Sequence, residues 1–261
     1  MIRSLWTGTT GMHGQQVNID VIANNLANVS TTGFKKSKAD FQDLLYQAMK
    51  VPGSQTSADT ESPTGIQIGL GVKPAAVTKI FTQGDLIQTE NELDIAIEGN
   101  GFLQIEQPNG NTGYTRSGAL KLDSDGRLTN SDGYPITPAI TIPDGYTQIT
   151  IGETGIVSAL IDNDTESTEL GTIQLATFTN NSGLLAIGQN LFEESSSSGT
   201  PQTGTPGDEG YGTLLQTYLE GSNVNIVEEL ASMITTQRAY EINSKTIQTS
   251  DEMMQTTNNL I

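Results

Sequence analysis

Apolar residues recur every seven positions at both ends of the chain. Near the N-terminus they are Leu5, Met12, Ile19 and Leu26. Near the C-terminus they are Ile226, Met233, Tyr240, Ile247, Met254 and Ile261, and Val227, Leu230 and Ile234 widen this seam in its first half. A seven-residue apolar repeat keeps one face of a helix turned toward a partner. The pattern predicts two long terminal helices that pair as a coiled coil.

A single amphipathic helix lying on its own domain is the alternative interpretation of the C-terminal repeat. It fits less well, because the second half of this stretch is weakly apolar and rich in Thr, Gln and Asn. The apolar seam is also thin for the number of residues that must be ordered. We therefore expect the helix pair to be poorly ordered in a free monomer and to fold when neighbouring subunits supply more surface.

The helix ends carry recognisable signals. The first helix is expected to span residues 1–32 and to stop at Gly33, since glycine tolerates the left-handed conformation that ends many helices. Asn225 is placed to cap the second helix, and no Gly or Pro follows it. Gly8, Gly11 and Gly14 weaken the first helix by about 1 kcal/mol each relative to Ala. They indicate either a helix that uncoils readily before assembly or a close helix–helix contact.

The middle of the chain changes character twice. A cluster of apolar residues suggests a short continuation of the first helix: Phe41, Leu44, Leu45 and Met49. Residues 51–64 are rich in Pro, Gly, Ser and Thr and read as a loop or extended arm. The chain can return as a β-hairpin through Ile66, Ile68 and Val72. The arm is marked by Pro52, Gly53, Pro63 and Gly65.

Residues 72–221 read as a β domain. Short runs such as Asp94–Ile97, Phe102–Ile105, Ile149–Ile151 and Thr172–Phe178 are punctuated by turn pairs such as Asn109-Gly110 and Asp132-Gly133. That spacing is typical of a sandwich or barrel of short strands. Residues 193–210 are expected to be a linker. The predicted fold is α+β, with a helical domain from residues 1–45 and 222–261, an arm at 46–71 and a β-rich outer domain at 72–221.

The net charge of −18 is unevenly distributed. Residues 1–50 carry five Lys and Arg against three Asp, so the remaining residues carry −20. A chain this acidic is a poor phosphate binder, which argues against nucleic acid as a partner. Lys35, Lys36 and Lys38 are predicted to form a solvated or subunit-facing patch. The absence of Cys removes disulfide, zinc-thiolate and Cys-nucleophile chemistry.

Targeting and membrane signals are also missing from the sequence. Arg3 is not followed by the apolar run that a secretory signal peptide requires. No stretch approaches the length of apolar residues needed to span a bilayer. From composition alone the expectation is a soluble protein without a transmembrane segment.

Candidate chemistry is sparse. Asp123 to Gly126 begin like a calcium loop, but no spaced Glu follows, so a hairpin turn is predicted. The single His, His13, is predicted to be a packing residue. Arg116 is expected to pair with a carboxylate in its own domain or across an interface, and Arg238 to form an intersubunit salt bridge or to lie on a solvated face. We find no nucleophile–base pair and expect no enzyme activity, no metal and no cofactor.

Three strings carry a family resemblance. Residues 24–41, NNLANVSTTGFKKSKADF, and residues 222–254, SNVNIVEELASMITTQRAYEINSKTIQTSDEMM, resemble the two terminal signatures of the flagellar rod and hook family of axial proteins. Residues 99–128 resemble the central-domain motif of that family. The signature residues are Asn24, Asn25, Leu26, Ala27, Asn28, Thr32, Gly33, Phe34, Gln237, Arg238, Ala239 and Tyr240. The chain length and the insert at 51–70 favour the distal-rod branch of the family.

The resemblance implies a structural subunit that polymerises into a helical tube, with the paired terminal helices inside and the β domain outside. It implies contacts with further copies of this chain, proximal rod proteins, the hook protein, the surrounding periplasmic and outer-membrane rings and the flagellar export apparatus. It also implies a periplasmic location reached without a cleavable signal peptide, and an arm that bridges neighbouring subunits. A proximal rod or hook subunit, or an adhesin-like β binding module on a coiled-coil base, remains the alternative.

Overall fold

The computed structural model describes residues 2–53, 55–57, 60–61, 63–161 and 167–259, and its fold is α+β. Along the sequence, two helices, α1 (Ile2–Ala27) and α2 (Ile226–Asn258), lie on either side of a long β-rich stretch. The chain divides into two compact units. The helical unit comprises Met1–Ala27, Ser37–Lys79 and Asn225–Ile261, and the β unit comprises Asn28–Lys36 and Ile80–Val224. Residues 37–79 therefore group with the helices.

The helix boundaries partly follow the sequence signals. Asn225 caps α2, because its side-chain oxygen accepts hydrogen bonds from the backbone N–H groups of Val227 and Glu228 at 3.0 and 3.4 Å. The prediction that α1 extends to residue 32 is wrong, since α1 ends at Ala27. Residues 28–33 instead form a turn that ends in Gly33 at a φ of +69°. Gly33 adopts the expected left-handed conformation, but it ends this turn and does not end the helix.

A long antiparallel hairpin, Ser37–Lys79, completes the helical unit, and we call it the hairpin. Its strands are β1 (Ser37–Asp43), β2 (Tyr46–Lys50), β3 (Gln55–Ser57), β4 (Thr60–Glu61), β5 (Ile66–Gly69) and β6 (Val72–Lys79). They pair in nested order as β1 with β6, β2 with β5 and β3 with β4. The predicted return of the chain as a hairpin through Ile66 and Ile68 is confirmed.

The predicted continuation of helix through Phe41, Leu44, Leu45 and Met49 is wrong. Phe41 lies in β1 and Met49 in β2. Between them, the N–H of Leu44 donates to the carbonyl of Gly71, and the N–H of Leu70 donates to the carbonyl of Leu45. Pairing with the returning strand satisfies these backbone groups across the chain, so the local helical spacing of the apolar residues does not decide the structure.

The β unit consists of fifteen strands and one short 3₁₀ turn among its described residues. The strands are β7 (Leu86–Gln88), β8 (Ile95–Glu98), β9 (Phe102–Glu106), β10 (Thr112–Thr115), β11 (Lys121–Leu122), β12 (Leu128–Thr129), β13 (Tyr146–Ile151), β14 (Ile156–Ile161), β15 (Thr168–Thr172), β16 (Leu175–Thr177), β17 (Leu185–Gly188), β18 (Leu191–Glu193), β19 (Gln202–Gly204), β20 (Thr213–Gln216) and β21 (Tyr218–Glu220). The largest sheet has the order β17-β18-β10-β9-β16-β19, and a second sheet has the order β13-β14-β15. The remaining strands form two-stranded ribbons.

Two apolar clusters form the core of the β unit. The larger is aliphatic and includes Ile95, Leu103, Leu128, Val157 and Leu214. The smaller is aromatic: the rings of Phe102, Tyr114, Phe178, Phe192 and Phe81 meet edge to face at centroid distances of 4.7 to 6.1 Å. A mainly β middle region is thus confirmed.

The predicted turns are present at the glycines that need them. Gly110, Gly126 and Gly133 have φ angles of +81°, +72° and +84°. The turn at Gly126 joins β11 to β12, as predicted for the Asp123 to Gly126 stretch. The linker predicted at 193–210 is partly wrong, because it contains β19, which pairs with β16, and a tight turn in which Ser198 is completely buried.

Candidate assembly surface

The two helices lie side by side in opposite directions. The hydroxyl oxygens of Ser4 and Ser250 are 3.1 Å apart. The side-chain amide of Asn18 donates to the hydroxyl of Thr236 at 3.0 Å. Further along, the side-chain amide of Asn25 donates to the carboxylate of Glu229 at 3.3 Å. As the number rises on α1 it falls on α2, so the helices are antiparallel.

Glycines bring the two helices close together. A β carbon on Gly8 would lie 2.9 Å from Cγ1 of Ile247, and one on Gly11 would lie 2.9 Å from Nδ2 of Asn243. Of the two uses proposed for these glycines, the structure therefore places Gly8 and Gly11 in a close helix–helix contact. Gly14 differs, because a β carbon there would meet only the hairpin side chains of Phe41 and Val72, at an ordinary 3.5 Å.

The contact face of α2 is more polar than the apolar repeat suggested. The buried residues among the described part of this helix are Thr236 and Ser250. Thr236 also donates to the carbonyl of Ser232, and Ser250 to that of Thr246, so each buried hydroxyl is satisfied. Sequence reasoning missed this face because it searched for apolar residues only. The seven-residue spacing of the polar residues was the available signal.

The predicted seam residues flank this polar face. Those that are half-buried are Leu5, Met12, Ile19, Leu26, Met233, Ile247 and Met254. Those that remain exposed, with 40 to 59% of their surface accessible, are Ile226, Leu230, Ile234 and Tyr240. The intramolecular helix pair therefore leaves much of the predicted apolar seam uncovered.

One side of the first turns of α2 is both apolar and exposed. Ile226, Leu230 and Ile234 follow at intervals of four residues, and Val227 lies beside them. Residues four apart lie on the same face of a helix. We call these four residues the apolar flank.

The outer part of the hairpin is also apolar and exposed. Leu45, Tyr46, Met49, Val51 and Ile66 each have more than half of their surface accessible. Large apolar side chains that are exposed in such numbers on one short segment are candidates for burial against a partner. The exposed part of the hairpin is therefore a second candidate contact surface beside the apolar flank.

The predicted arm residues lie at the distal part of the hairpin. Pro52, Gly53 and Pro63 are exposed, and Gly53 has a φ of +78°. Gly65 faces the opposite strand, where a β carbon would lie 2.5 Å from the carbonyl oxygen of Lys50 and 2.6 Å from Cδ of Pro52. Gly65 thus permits a close backbone approach. Part of the predicted loop at 53–63, namely residues 54, 58, 59 and 62, lies outside the described residues.

The base of the hairpin is held by one buried asparagine. The side chain of Asn25 accepts from the N–H of Ser37 and donates to its carbonyl, both at 2.8 Å. The same amide contacts Glu229 on α2. Asn25 therefore ties α1, α2 and the first strand of the hairpin to a single point.

The β unit holds a buried cluster of charges. Glu220 accepts from Lys35 at 2.5 Å through Oε1 and from Arg116 at 3.4 Å through Oε2. The prediction that Lys35 belongs to a solvated or subunit-facing patch is wrong, since the side chains of Lys35 and Glu220 are both 0% exposed. Burial lowers the pKa of the Lys35 ammonium, and the Glu220 carboxylate opposes that shift. Of the two alternatives predicted for Arg116, the structure shows pairing with a carboxylate of its own unit, Glu220.

The turn that carries the first family signature packs around this cluster. The N–H of Gly33 donates to the backbone carbonyl of Glu220 at 2.7 Å, and a β carbon on Gly33 would lie 2.6 Å from the nitrogen of Ser117. The hydroxyls of Thr32 and Ser117 are 3.2 Å apart, and Phe34 is buried. Asn28 begins this turn by accepting from the N–H of Thr31. Gly33 is therefore required both for its φ and for space.

Asn223 ties together three segments at the edge of the β unit. Its side-chain oxygen accepts from the N–H of Lys36 at 2.7 Å, and its amide donates to the carbonyls of Ile80 and Thr82 at 2.9 and 3.1 Å. Lys36, Ile80 and Val224 are three of the four residues of the β unit that directly precede or follow segments of the helical unit, the fourth being Asn28. Asn223 therefore fixes the spacing of these connections within the β unit.

The remaining predicted residues lie in exposed or unremarkable positions. Asn24, Leu26 and Ala27 are near the end of α1, and Gln237 and Ala239 are in the middle of α2. Arg238 pairs with Glu241 at 3.2 Å on the exposed face of α2, which matches the solvated-face alternative. His13, predicted to be a packing residue, is exposed within the single chain.

The described residues also bear on metal sites and membrane spans. Within the part of the chain that the structure describes, no group of three or more acidic or His side chains could hold a metal ion. No described helix combines the length and the apolar character that crossing a membrane requires.

Comparisons with known proteins cover nearly the whole chain. Three family models match: flagella basal body rod protein at residues 5–35, flagellar hook protein FlgE/F/G D1 domain at 96–159, and flagellar basal body rod FlgEFG protein C-terminal at 215–260. The sequence is 52% identical to flagellar basal-body rod protein FlgG of Borreliella burgdorferi over 100% of this chain and 99% of the relative. It is 51% identical to that of Buchnera aphidicola subsp. Schizaphis graminum over 98% of both chains, and 47% identical to that of Caulobacter vibrioides over 99% of both.

Proposed function

This chain belongs to the family of flagellar basal-body rod proteins and is a structural subunit of the distal rod, and we propose that it polymerises through its terminal helices and its hairpin. The observation that carries the proposal is the uncovered apolar surface of the helical unit. The apolar flank and the outer hairpin together expose nine large apolar side chains. Burying each of them contributes about 1.5–3 kcal/mol at most, so they provide a substantial driving force for association.

The partner that fits these surfaces is a second copy of the chain. The apolar flank and the outer hairpin are different surfaces, so contact between them is head to tail rather than self-complementary. Repeated contacts of this kind do not close on themselves and generate a helical filament. In this arrangement the hairpin reaches from one subunit to its neighbour, and Pro52, Gly53, Pro63 and Gly65 shape the part that makes the contact.

The finer arrangement of the helices follows from the same proposal. In the assembled rod α1 and α2 supercoil as a coiled coil, and neighbouring subunits cover the half of the apolar seam that one chain leaves exposed. The subunit contacts are made by the seam residues predicted from sequence, namely Leu5, Met12, Ile19, Leu26, Ile226, Leu230, Met233, Ile234, Tyr240, Ile247 and Met254. In the free chain the helix pair is only partly ordered, since its own contact face is thin and polar.

Family membership supports a proposal for the remaining partners. The rod meets the proximal rod proteins at one end and the hook protein at the other, and it passes through periplasmic and outer-membrane rings. The acidic β unit faces those rings. The subunit reaches the periplasm through the flagellar export apparatus without a cleaved signal peptide. The family is a structural one, and the subunit's role is to transmit torque rather than to catalyse a reaction.

Electron microscopy of the full chain before and after concentration tests this proposal. Rods or short tubes are expected from the unsubstituted chain, and none from a chain lacking residues 1–30 and 226–261. Ile234→Glu places a charge in the apolar flank and should abolish the rods. Thr235→Glu introduces the same charge one residue away on an exposed face outside the flank, and should leave them intact. Rods from Ile234→Glu as abundant as those from Thr235→Glu would refute assembly through the apolar flank.

A further inference from the structure

The polar contacts between the helices repeat with the same seven-residue interval as the apolar seam. Three are hydrogen-bonding contacts, of Ser4 with Ser250, Asn18 with Thr236 and Asn25 with Glu229. At the fourth place in the repeat, Gly11 leaves room for the polar side chain of Asn243. We call these four pairs the polar ladder.

An apolar seam alone does not specify how two helices are aligned along their axes. Sliding α2 by seven residues returns apolar residues to equivalent places, because Met233, Tyr240, Ile247 and Met254 recur at that interval. The unbranched, half-buried side chains of Met233 and Met254 also adapt to different neighbours. The predicted seam therefore leaves several alignments close in free energy.

The polar ladder does distinguish these alignments. In the observed register Asn243 faces Gly11, where a β carbon would come within 2.9 Å of its amide. After a slide of seven residues Asn243 faces Ser4 or Asn18, and neither leaves that space. Thr236 would then face Gly11 or Asn25 and would lose the hydrogen bond from Asn18, although its hydroxyl keeps its bond to the carbonyl of Ser232. The cost falls on the half-buried side-chain amide of Asn18, which loses this acceptor.

The glycine at position 8 reinforces the same register. Ile247 lies where a β carbon on Gly8 would be 2.9 Å from its Cγ1 atom. A slide of one heptad along α1 places Ile247 opposite Gln15 instead, which has a β carbon where Gly8 has none. Two small residues on α1 thus receive two larger ones on α2, and both fits are lost together when the register shifts.

We propose that the polar ladder, rather than the apolar residues beside it, sets the register in which α1 and α2 pair. In designed helix pairs a single buried polar residue can specify alignment in this way, at some cost in stability. The last pair extends the effect to the hairpin, because Asn25 also binds both backbone groups of Ser37. The register of the helices therefore also determines where the hairpin starts relative to the apolar flank.

The absence of Cys from the chain allows a direct test by engineered disulfides. In the full chain, the Ser4→Cys/Ser250→Cys pair reports the observed register. Two other pairs, Ser4→Cys/Asn243→Cys and Ser4→Cys/Thr257→Cys, report slides of one heptad in either direction. After mild oxidation of dilute protein, intramolecular crosslinks are separated from intermolecular ones by gel mobility. With Asn18 and Thr236 present, the first pair should crosslink and the other two should not.

The decisive variant is Asn18→Leu/Thr236→Leu, which replaces one pair of the ladder by apolar residues. Its yield of the native crosslink relative to the shifted crosslinks should fall about tenfold. The control is Gln16→Leu/Thr235→Leu, which changes exposed residues on the same helices and should keep the native pattern. Unchanged crosslinking in Asn18→Leu/Thr236→Leu, or equal crosslinking of all three pairs before any ladder residue is changed, would overturn the proposal. Neither result depends on whether the chain forms rods.

Discussion

Replacing Glu220 by Gln should strongly destabilise the β unit. The carboxylate of Glu220 is the partner of two buried cations, since Lys35 lies 2.5 Å and Arg116 3.4 Å from its oxygens. The Oε1 atom also accepts from the N–H of Gly84 at 2.9 Å. Gln has nearly the same size and keeps an oxygen for Gly84, so the substitution removes the charge while changing little of the packing.

The magnitude follows from the burial of all three side chains, of which Arg116 is the most accessible at 5%. Removing one partner of a buried ion pair typically costs about 3–5 kcal/mol, because the remaining charge is left buried without compensation. Here two cations would lose their anion. Other acceptors reduce the loss, since Lys35 also donates to the carbonyl of Thr82 and Arg116 to that of Gly99, both at 2.7 Å. We therefore expect a loss of about 3 kcal/mol, at the lower end of that range.

Urea denaturation followed by near-ultraviolet circular dichroism measures this loss. The buried Tyr114 ring, 4.7 Å from the ring of Phe178, contributes to this signal from within the β unit. A loss of about 3 kcal/mol lowers the urea midpoint by about 1–2 M. Asp125→Asn is the matched control, because Asp125 pairs with Arg127 at 3.0 Å on the exposed surface and should change stability by about 0–1 kcal/mol. Equal midpoints for Glu220→Gln and Asp125→Asn would refute the reasoning.

Three further predictions concern the helix contact, the connections of the β unit and one turn. Gly8→Ala should lower the melting temperature of the helices, because its β carbon would meet α2 at 2.9 Å, whereas Gly14→Ala should raise it by gaining about 1 kcal/mol of helix propensity. Far-ultraviolet circular dichroism compares the two variants, and a higher melting temperature for Gly8→Ala would contradict the close contact. Asn223→Ala should cost about 2–3 kcal/mol, because the N–H of Lys36 and the carbonyl of Ile80 lose this partner while the carbonyl of Thr82 keeps only its bond from Lys35. Hydrogen exchange should then be faster at residues 36 and 80–82, and unchanged protection there would be the contrary result. The N–H of Ser124 holds the pKa of the Asp123 carboxyl below its ordinary 3.8. The contribution of this carboxylate to stability is therefore complete above pH 3.8 and is lost as the pH falls through the lower folded-state pKa. An NMR titration that gives a pKa of 3.8 or more for Asp123 would contradict this prediction.

Local signals in the sequence predicted the features that are determined by neighbouring residues. The cap at Asn225 and the turns at Gly110, Gly126 and Gly133 satisfy backbone groups or φ angles within a few residues. The return of the hairpin through Ile66 and Ile68 was also readable, because alternating apolar residues bounded by glycines favour a strand. In each case the physical requirement and the residue that meets it lie close together in the chain.

Long-range pairing overrode local pattern elsewhere. Leu44 and Leu45 have helical spacing with their apolar neighbours, yet their backbone groups pair with Leu70 and Gly71. Lys35 looks like part of a basic surface patch until Glu220, 185 residues later, is placed beside it. A sequence pattern gives the hydrophobicity of a position but does not show which distant residue will contact it. A lysine, which usually lies in solvent, can be buried when a distant carboxylate pairs with it.

The heptad repeats and turn residues predicted two long terminal helices around a β-rich middle, and the three signature strings resembled the flagellar rod and hook family. The apolar repeats also indicated that the helices need a partner face. Which residues form that face became evident from the way the helices pack. The contact runs through Ser250, Thr236 and two glycines of α1, because polar groups can be buried where their hydrogen bonds are met across the helix pair. The apolar seam residues of α2 are therefore partly exposed. Their exposure results from how the two helices pack, which the local sequence pattern does not predict.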